Sequence, residues 1–225
     1  AFQKTQSYLQ ESQEMVEDAS IMIYQQVAKE AGDDIHFDLN QLKKLPNYKS
    51  YLYQWLNEFG FSAWNDIYDL ADGQSGKQVF SEEFRLLKNR ETLILSPFSG
   101  REEKEEFEIN ENVSEVNFPL KMTLCNVGHT TYDSNRAIFV DADKIRFPLL
   151  LRKWKEGDVF HPFGMHGKSK KVSKLFKDEK LSLIEKEKVW ILCSENQIVW
   201  IVGIRQDERF KIEKTTNKIL KLELQ

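Results

Sequence analysis

Residues 189–193 (VWILC) and 198–202 (IVWIV) are apolar at every position, and only Ser194-Glu195-Asn196-Gln197 separates them. A strand with one wet face alternates apolar and polar side chains; a continuous apolar run of this length is covered on both faces. The short polar link makes the pair a hairpin. Other parts of the second half must therefore cover it from two sides. Strand-like runs at 122–127, 137–140, 149–154 and 219–224 can do so, as can a lysine-rich segment with one apolar side. The expected fold class of this half is α+β, a mixed sheet with the lysine-rich helix packed on it.

The first half has a different period. Leu9, Val16 and Ile23 recur every seven residues, with Ala19 and Val27 beside them, and predict one helix over 1–31 closed by Gly32. Leu39, Leu42 and Leu45 predict a short helix ended by Pro46. An aromatic-rich segment at 48–59 ends at Gly60, and Ser62 is placed to cap a helix that stops at Gly73. After Ser75-Gly76-Lys77 the pattern turns strand-like, with runs at 79–80, 84–87 and 92–95 and a turn at Lys88-Asn89-Arg90. The domains read as 1–100 (helices ending in a β-hairpin), 101–135 (an acidic linker and a first strand) and 136–225 (a mixed α/β domain).

Net charge is −4, but its distribution matters more. Residues 1–40 hold eight acids against Lys4 and Lys29, whereas residues 150–190 hold eleven Lys/Arg against six Asp/Glu. A polyanion would meet the second region and avoid the first. No apolar stretch approaches the roughly 18–20 residues that span a bilayer, so no membrane partner is expected. The opening AFQKTQSYLQ has no apolar core of a signal peptide, lacks an initiator Met and starts directly in a helical pattern, as expected of a fragment of a longer protein. Cys125 and Cys193 are too few for a disulfide framework and read as small core residues in a reducing cytoplasm.

The segment LLLRKWKEGDVFHPFGMHGKSKKVSKLFKDEK (149–180) carries the functional signal. At helical stepping Lys170, Lys174 and Lys177 fall on one side and Val172, Leu175 and Phe176 on the other. Such a segment can bury one face and hold ammonium groups in a row, which suits an RNA backbone. Gly164 and Gly167 would let backbone amides approach a phosphate. Arg152, Lys153, Lys168, Lys170, Lys171, Lys174, Lys177 and Arg205 are the candidate backbone contacts, with a positioning role. His161 and His166 invite a metal reading, but no carboxylate or cysteine obviously completes the sphere, so no metal is expected. Neither cysteine sits in an electropositive setting beside a histidine, and no Gly-rich phosphate loop is present, so no catalytic residue is expected in the chain. Trp55, Trp64, Tyr51, Tyr68, Trp190 and Trp200 fall on apolar faces and read as core; Trp154, at the basic strand end, is left open. A protein–protein module docking its basic face on an acidic partner is the alternative.

The run LRKWKEGDVFHPFGMHGKSKKVSKLF, then KDEK, then IVWIVGIRQDERFKI, resembles the C-terminal domain of the tRNA(Ile)-lysidine synthase family. The first hundred residues resemble that family's central helical domain, which likewise passes through an SGK turn into a hairpin. The chain departs from the family pattern at Ser182, where Pro is frequent, and at Lys186, where Arg is frequent. The resemblance implies an ATP-dependent carbon–nitrogen ligase that joins lysine to the wobble cytidine of the AUA-reading isoleucine tRNA. It implies tRNA as partner, a homodimer as one form of the full-length protein, and ATP (with Mg) and lysine as substrates bound elsewhere. The chemistry would belong to an N-terminal PP-loop domain whose SGG-x-DS signature is absent here, which leaves this chain inactive by itself and without a cofactor. It further implies that the C-terminal domain is similar to a module of the phenylalanyl-tRNA synthetase β-subunit.

Overall fold

The computed structural model describes residues 2–98, 106–130 and 136–225. The chain divides into two compact units, Ala1–Arg101 and Glu102–Gln225.

In the first unit, α1 (Phe2–Val27) leads into a strand pair, β1 (Ala28–Ala31) and β2 (Asp34–Asp38). The helix is therefore shorter than expected, and residues 28–31 are strand. Gly32, at φ +64°, turns the hairpin, and Ile35 and Phe37 alternate with polar neighbours at strand period. The heptad positions do not form a seam: Leu9 and Val16 are exposed, and the helix is anchored by its end, through Ser20, Ile23, Tyr24 and Val27. Trp55 donates its indole N–H to Ser20 Oγ at 2.9 Å, and its ring stacks on Phe37 with centroids 5.8 Å apart. Three further helices follow: α2 (Leu39–Leu42), capped by the Asp38 carboxylate, α3 (Tyr48–Leu56) and α4 (Trp64–Asp72). Ser62 does not cap α4, which begins after Ala63 with no side-chain cap. β3 (Gln78–Phe80), β4 (Phe84–Asn89) and β5 (Thr92–Pro97) complete an antiparallel sheet in the order β1-β2-β5-β4-β3. The expected terminal hairpin is thus the centre of a larger sheet.

In the second unit the apolar hairpin is β13 (Trp190–Ser194) and β14 (Gln197–Ile201). Together with β6 (Glu106–Ile109), β10 (Leu149–Lys153) and β15 (Arg205–Gln206) it forms a sheet ordered β15-β14-β13-β10-β6. One face packs on a second sheet, ordered β7-β8-β16-β9, built from β7 (Glu115–Val116), β8 (Met122–Val127), β9 (Ala137–Asp141) and β16 (Ile219–Leu224). The other face is covered by α5 (Val172–Asp178) and a strand pair, β11 (Val159–Phe160) with β12 (Lys170–Lys171). Trp190, Leu192, Val199 and Trp200 enter the sheet–sheet core, while Ile191, Cys193, Ile198 and Ile201 enter the sheet–helix core. A β-bulge between Leu192 and Cys193 explains why Val199 and Trp200, adjacent in sequence, serve the same core.

Three expectations for this unit are corrected. The sheets are antiparallel throughout the described pairings rather than mixed. The described part of the acidic stretch is not a linker: β6 pairs with β10 at the sheet edge, where Glu106 meets Lys155 at 2.8 Å. Residues 101–105 and 131–135 lie outside the described residues. Cys193 is buried and its thiol is pushed up by desolvation, but Cys125 is exposed on the outer face of β8. Helix α6 (Leu183–Lys188) is capped at its start by Ser182. Ser182 Oγ accepts from the Glu185 N–H, and the Glu185 carboxylate accepts from the Ser182 N–H, a reciprocal capping box. Ser182→Ala is expected to cost about 1 kcal/mol, read as a shift of the urea midpoint at constant slope.

Candidate nucleic-acid interface

The basic region is assembled from the end of β10, a glycine-rich turn and α5. Its foundation is apolar: Val172 and Phe176 are wholly buried and Leu175 nearly so, against Phe160 and the hairpin. Trp154 packs edge-on to Phe176 with centroids 5.3 Å apart, so it belongs to this core. Trp55, Trp190 and Trp200 are buried and Trp64, Tyr51 and Tyr68 pack against a core, as the pattern predicts.

The eight candidate cations separate into two groups. Arg152 does not face outward. Its guanidinium makes a fork to Asp158, with Nη1 and Nη2 at 2.9 and 2.8 Å from the two carboxylate oxygens, and both side chains are only 13% exposed. Burial pushes the Asp158 carboxyl up, but the Arg152 fork and the Lys155 backbone N–H outweigh it and hold it below the usual carboxylate range. Lys153 lies along the sheet, its ammonium donating to the Glu187 carbonyl at 2.7 Å and sitting 4.1 Å from the centroid of Trp190. Lys170 is on β12 rather than on the helix and pairs with Asp178 at 2.8 Å, its side chain 16% exposed. The Lys170 pair holds the Asp178 carboxyl below its usual range. Lys170 thus leaves the expected helical row, and all three candidate contacts are engaged within the protein.

The second group is open. The side chains of Lys168, Lys171, Lys174 and Lys177 are exposed and make no hydrogen bond or ion pair among the described residues. Only Lys174 and Lys177 ride on α5; Lys171 precedes it and Lys168 belongs to the turn. Arg205 is half-exposed, with Glu179 at 3.9 Å, beyond hydrogen-bond range.

The turn is held by an acidic pair that sequence reasoning missed. Asp207, wholly buried, accepts from the His161 N–H at 2.8 Å and from Arg209 Nε and Nη2 at 2.9 and 2.8 Å. Glu208 accepts from the Gly167 N–H at 2.9 Å, and that bond, followed by Lys211, holds its carboxyl below its usual range. Gly164 and Gly167, at φ +87° and +76°, are in the left-handed region where a side chain would be strained. The available signal is the Gln206-Asp207-Glu208-Arg209 run, whose acids sit among bases. Asp207 also places a carboxylate 4.0 Å from His161 Nδ1, a neighbour the sequence did not make obvious, and Arg209 already occupies it. Among the described residues no group of three or more His, Cys, Asp or Glu is arranged to hold a metal, and no helix is long and apolar enough to cross a membrane.

Two family models match the chain, the TilS substrate binding domain over residues 29–98 and the TilS substrate C-terminal domain over residues 149–223. The chain belongs to the tRNA(Ile)-lysidine synthase family. It is 37% identical over 208 residues to the tRNA(Ile)-lysidine synthase of Parabacteroides distasonis, covering 89% of this chain and 47% of the relative. Against that of Bacteroides thetaiotaomicron it is 34% identical, covering 88% and 46%. The chain thus spans about half the length of these lysidine synthases. A crystal structure of a TilS C-terminal domain superposes with a TM-score of 0.47 at 19% identity, over 54% of this chain and 97% of its own.

Proposed function

We propose that this chain is the tRNA-recognition portion of a tRNA(Ile)-lysidine synthase, an ATP-dependent ligase that joins lysine to the wobble cytidine of the AUA-reading isoleucine tRNA in the cytoplasm. In this reading the adenylation and transfer, with ATP, Mg and lysine, belong to the part of the family's length that this chain does not span. The observation that carries it is the open set Lys168, Lys171, Lys174 and Lys177, fixed by the buried Val172, Leu175 and Phe176. An ammonium with no acid of its own releases counterions from a phosphate backbone at no cost in broken internal pairs. Arg205, loosely paired with Glu179 at 3.9 Å, adds a guanidinium to this set; Arg152, Lys153 and Lys170 position it. At Lys186, where the family frequently has Arg, a point charge replaces a planar fork.

Titration of isoleucine tRNA into the full chain at several salt concentrations tests this. The triple variant Lys171→Glu, Lys174→Glu, Lys177→Glu is expected to weaken binding and to flatten the log–log salt slope by roughly 0.7–0.9 for each phosphate that is no longer neutralised. An unchanged slope removes these residues from the interface. Polyglutamate competing as well as tRNA at every salt concentration would make the basic face a protein-docking surface instead.

A further inference from the structure

The glycine-rich turn presents an aromatic ring as well as charge. Phe163 is 48% exposed, yet the backbone around it is pinned: its N–H donates to the Gln206 carbonyl at 2.9 Å, and Pro162 bridges to Asp207. That tie sets the ring beside β15. Phe163, Arg205, Gln206, Leu181 and Ile204 line one open cleft of about 470 Å³. The Arg205 guanidinium pairs loosely with Glu179, at 3.9 Å, and makes no hydrogen bond among the described residues. Gln206 donates its amide N–H to the Phe139 carbonyl at 2.9 Å, which leaves its side-chain oxygen as an acceptor with no donor among the described residues.

We propose that this cleft takes an unpaired nucleotide of the bound RNA, its base stacked on Phe163 and its phosphate on Arg205. The inference rests on the RNA-binding reading above and adds a subsite for single-stranded RNA to it. An aromatic face, a guanidinium and an amide acceptor side by side are the groups that hold a splayed-out base with its phosphate. Bases inside a paired stem are stacked on each other and present no face to such a ring. Glu179 lines the same cleft 3.9 Å from the Arg205 guanidinium, so a bound phosphate takes its place as the partner of Arg205. Lys168 belongs to the same turn as Phe163, its backbone N–H donating to the Met165 carbonyl at 3.2 Å.

Two RNA hairpins with the same stem test this on the full chain, one blunt and one with a single-stranded 3′ extension containing 2-aminopurine. The extended hairpin is expected to bind more tightly, by roughly 5- to 150-fold, with a change in 2-aminopurine fluorescence. Phe163→Ala should abolish both the preference and the fluorescence change, and Phe163→Tyr should keep them. Blunt-hairpin affinity should be unchanged in both variants, which also shows that they fold. Equal preference in wild type and Phe163→Ala, or no preference in wild type, overturns the subsite while leaving the RNA-binding reading intact. Failure of the wild-type chain to bind either hairpin overturns both.

Discussion

Arg152→Ala is expected to destabilise the second unit by about 3 kcal/mol, lowering its thermal midpoint by roughly 10 °C. The substitution leaves the Asp158 carboxylate, 13% exposed, with the Lys155 backbone N–H as its remaining close donor. A charge left without its partner away from water costs more than the pair contributed. The effect depends on pH with a definite sign. The folded Asp158 carboxyl lies below the ordinary carboxylate range. Its contribution is therefore complete above that range and is lost as pH falls through the folded value. The difference between wild type and Arg152→Ala should be full near neutrality and narrow in acid. Thermal unfolding across a pH series measures it. If the midpoint does not move at neutral pH, Arg152 is free of Asp158 in solution and returns to the candidate phosphate contacts.

Phe176→Ala should cost about 3–5 kcal/mol, because it removes a wholly buried ring from the layer joining α5 to the hairpin. The affected neighbours include the Trp154 edge, Val172 and Leu175. RNA affinity should fall in the same variant although every lysine remains, because a row of charges is a binding surface only while its geometry is held. Urea unfolding gives the first quantity and tRNA titration the second. A loss of stability below about 1 kcal/mol would mean that α5 is not anchored through this face.

Parts of this architecture are legible in the residues themselves. An all-apolar pair of runs has no polar face to offer water, so the β13–β14 hairpin had to lie between two layers. The spacing of Val172, Leu175 and Phe176 marks a buried helical face for the same reason. The family is legible because its motif joins turn glycines, lysines and the Arg205–Arg209 run at fixed separations. The first unit is less legible. Residues 28–31 continue a helical composition, and only pairing with β2 makes them a strand. Local propensity differs by tenths of a kcal/mol per residue, and a neighbouring strand easily overrides it.

The sequence alone determined that a basic segment would be fastened by its apolar side, because hydrophobic periodicity is a local property of the chain. Which of its cations remain open was decided only by tertiary structure. Lys155 meets an acid 49 residues away, and the turn amide at Gly167 meets one 41 residues away. Even the nearer pairs, Arg152–Asp158 and Lys170–Asp178, form because strands and helix bring them face to face. Whether a charge is free depends on what stands within a few ångströms of it, and that distance exists only once the chain has folded.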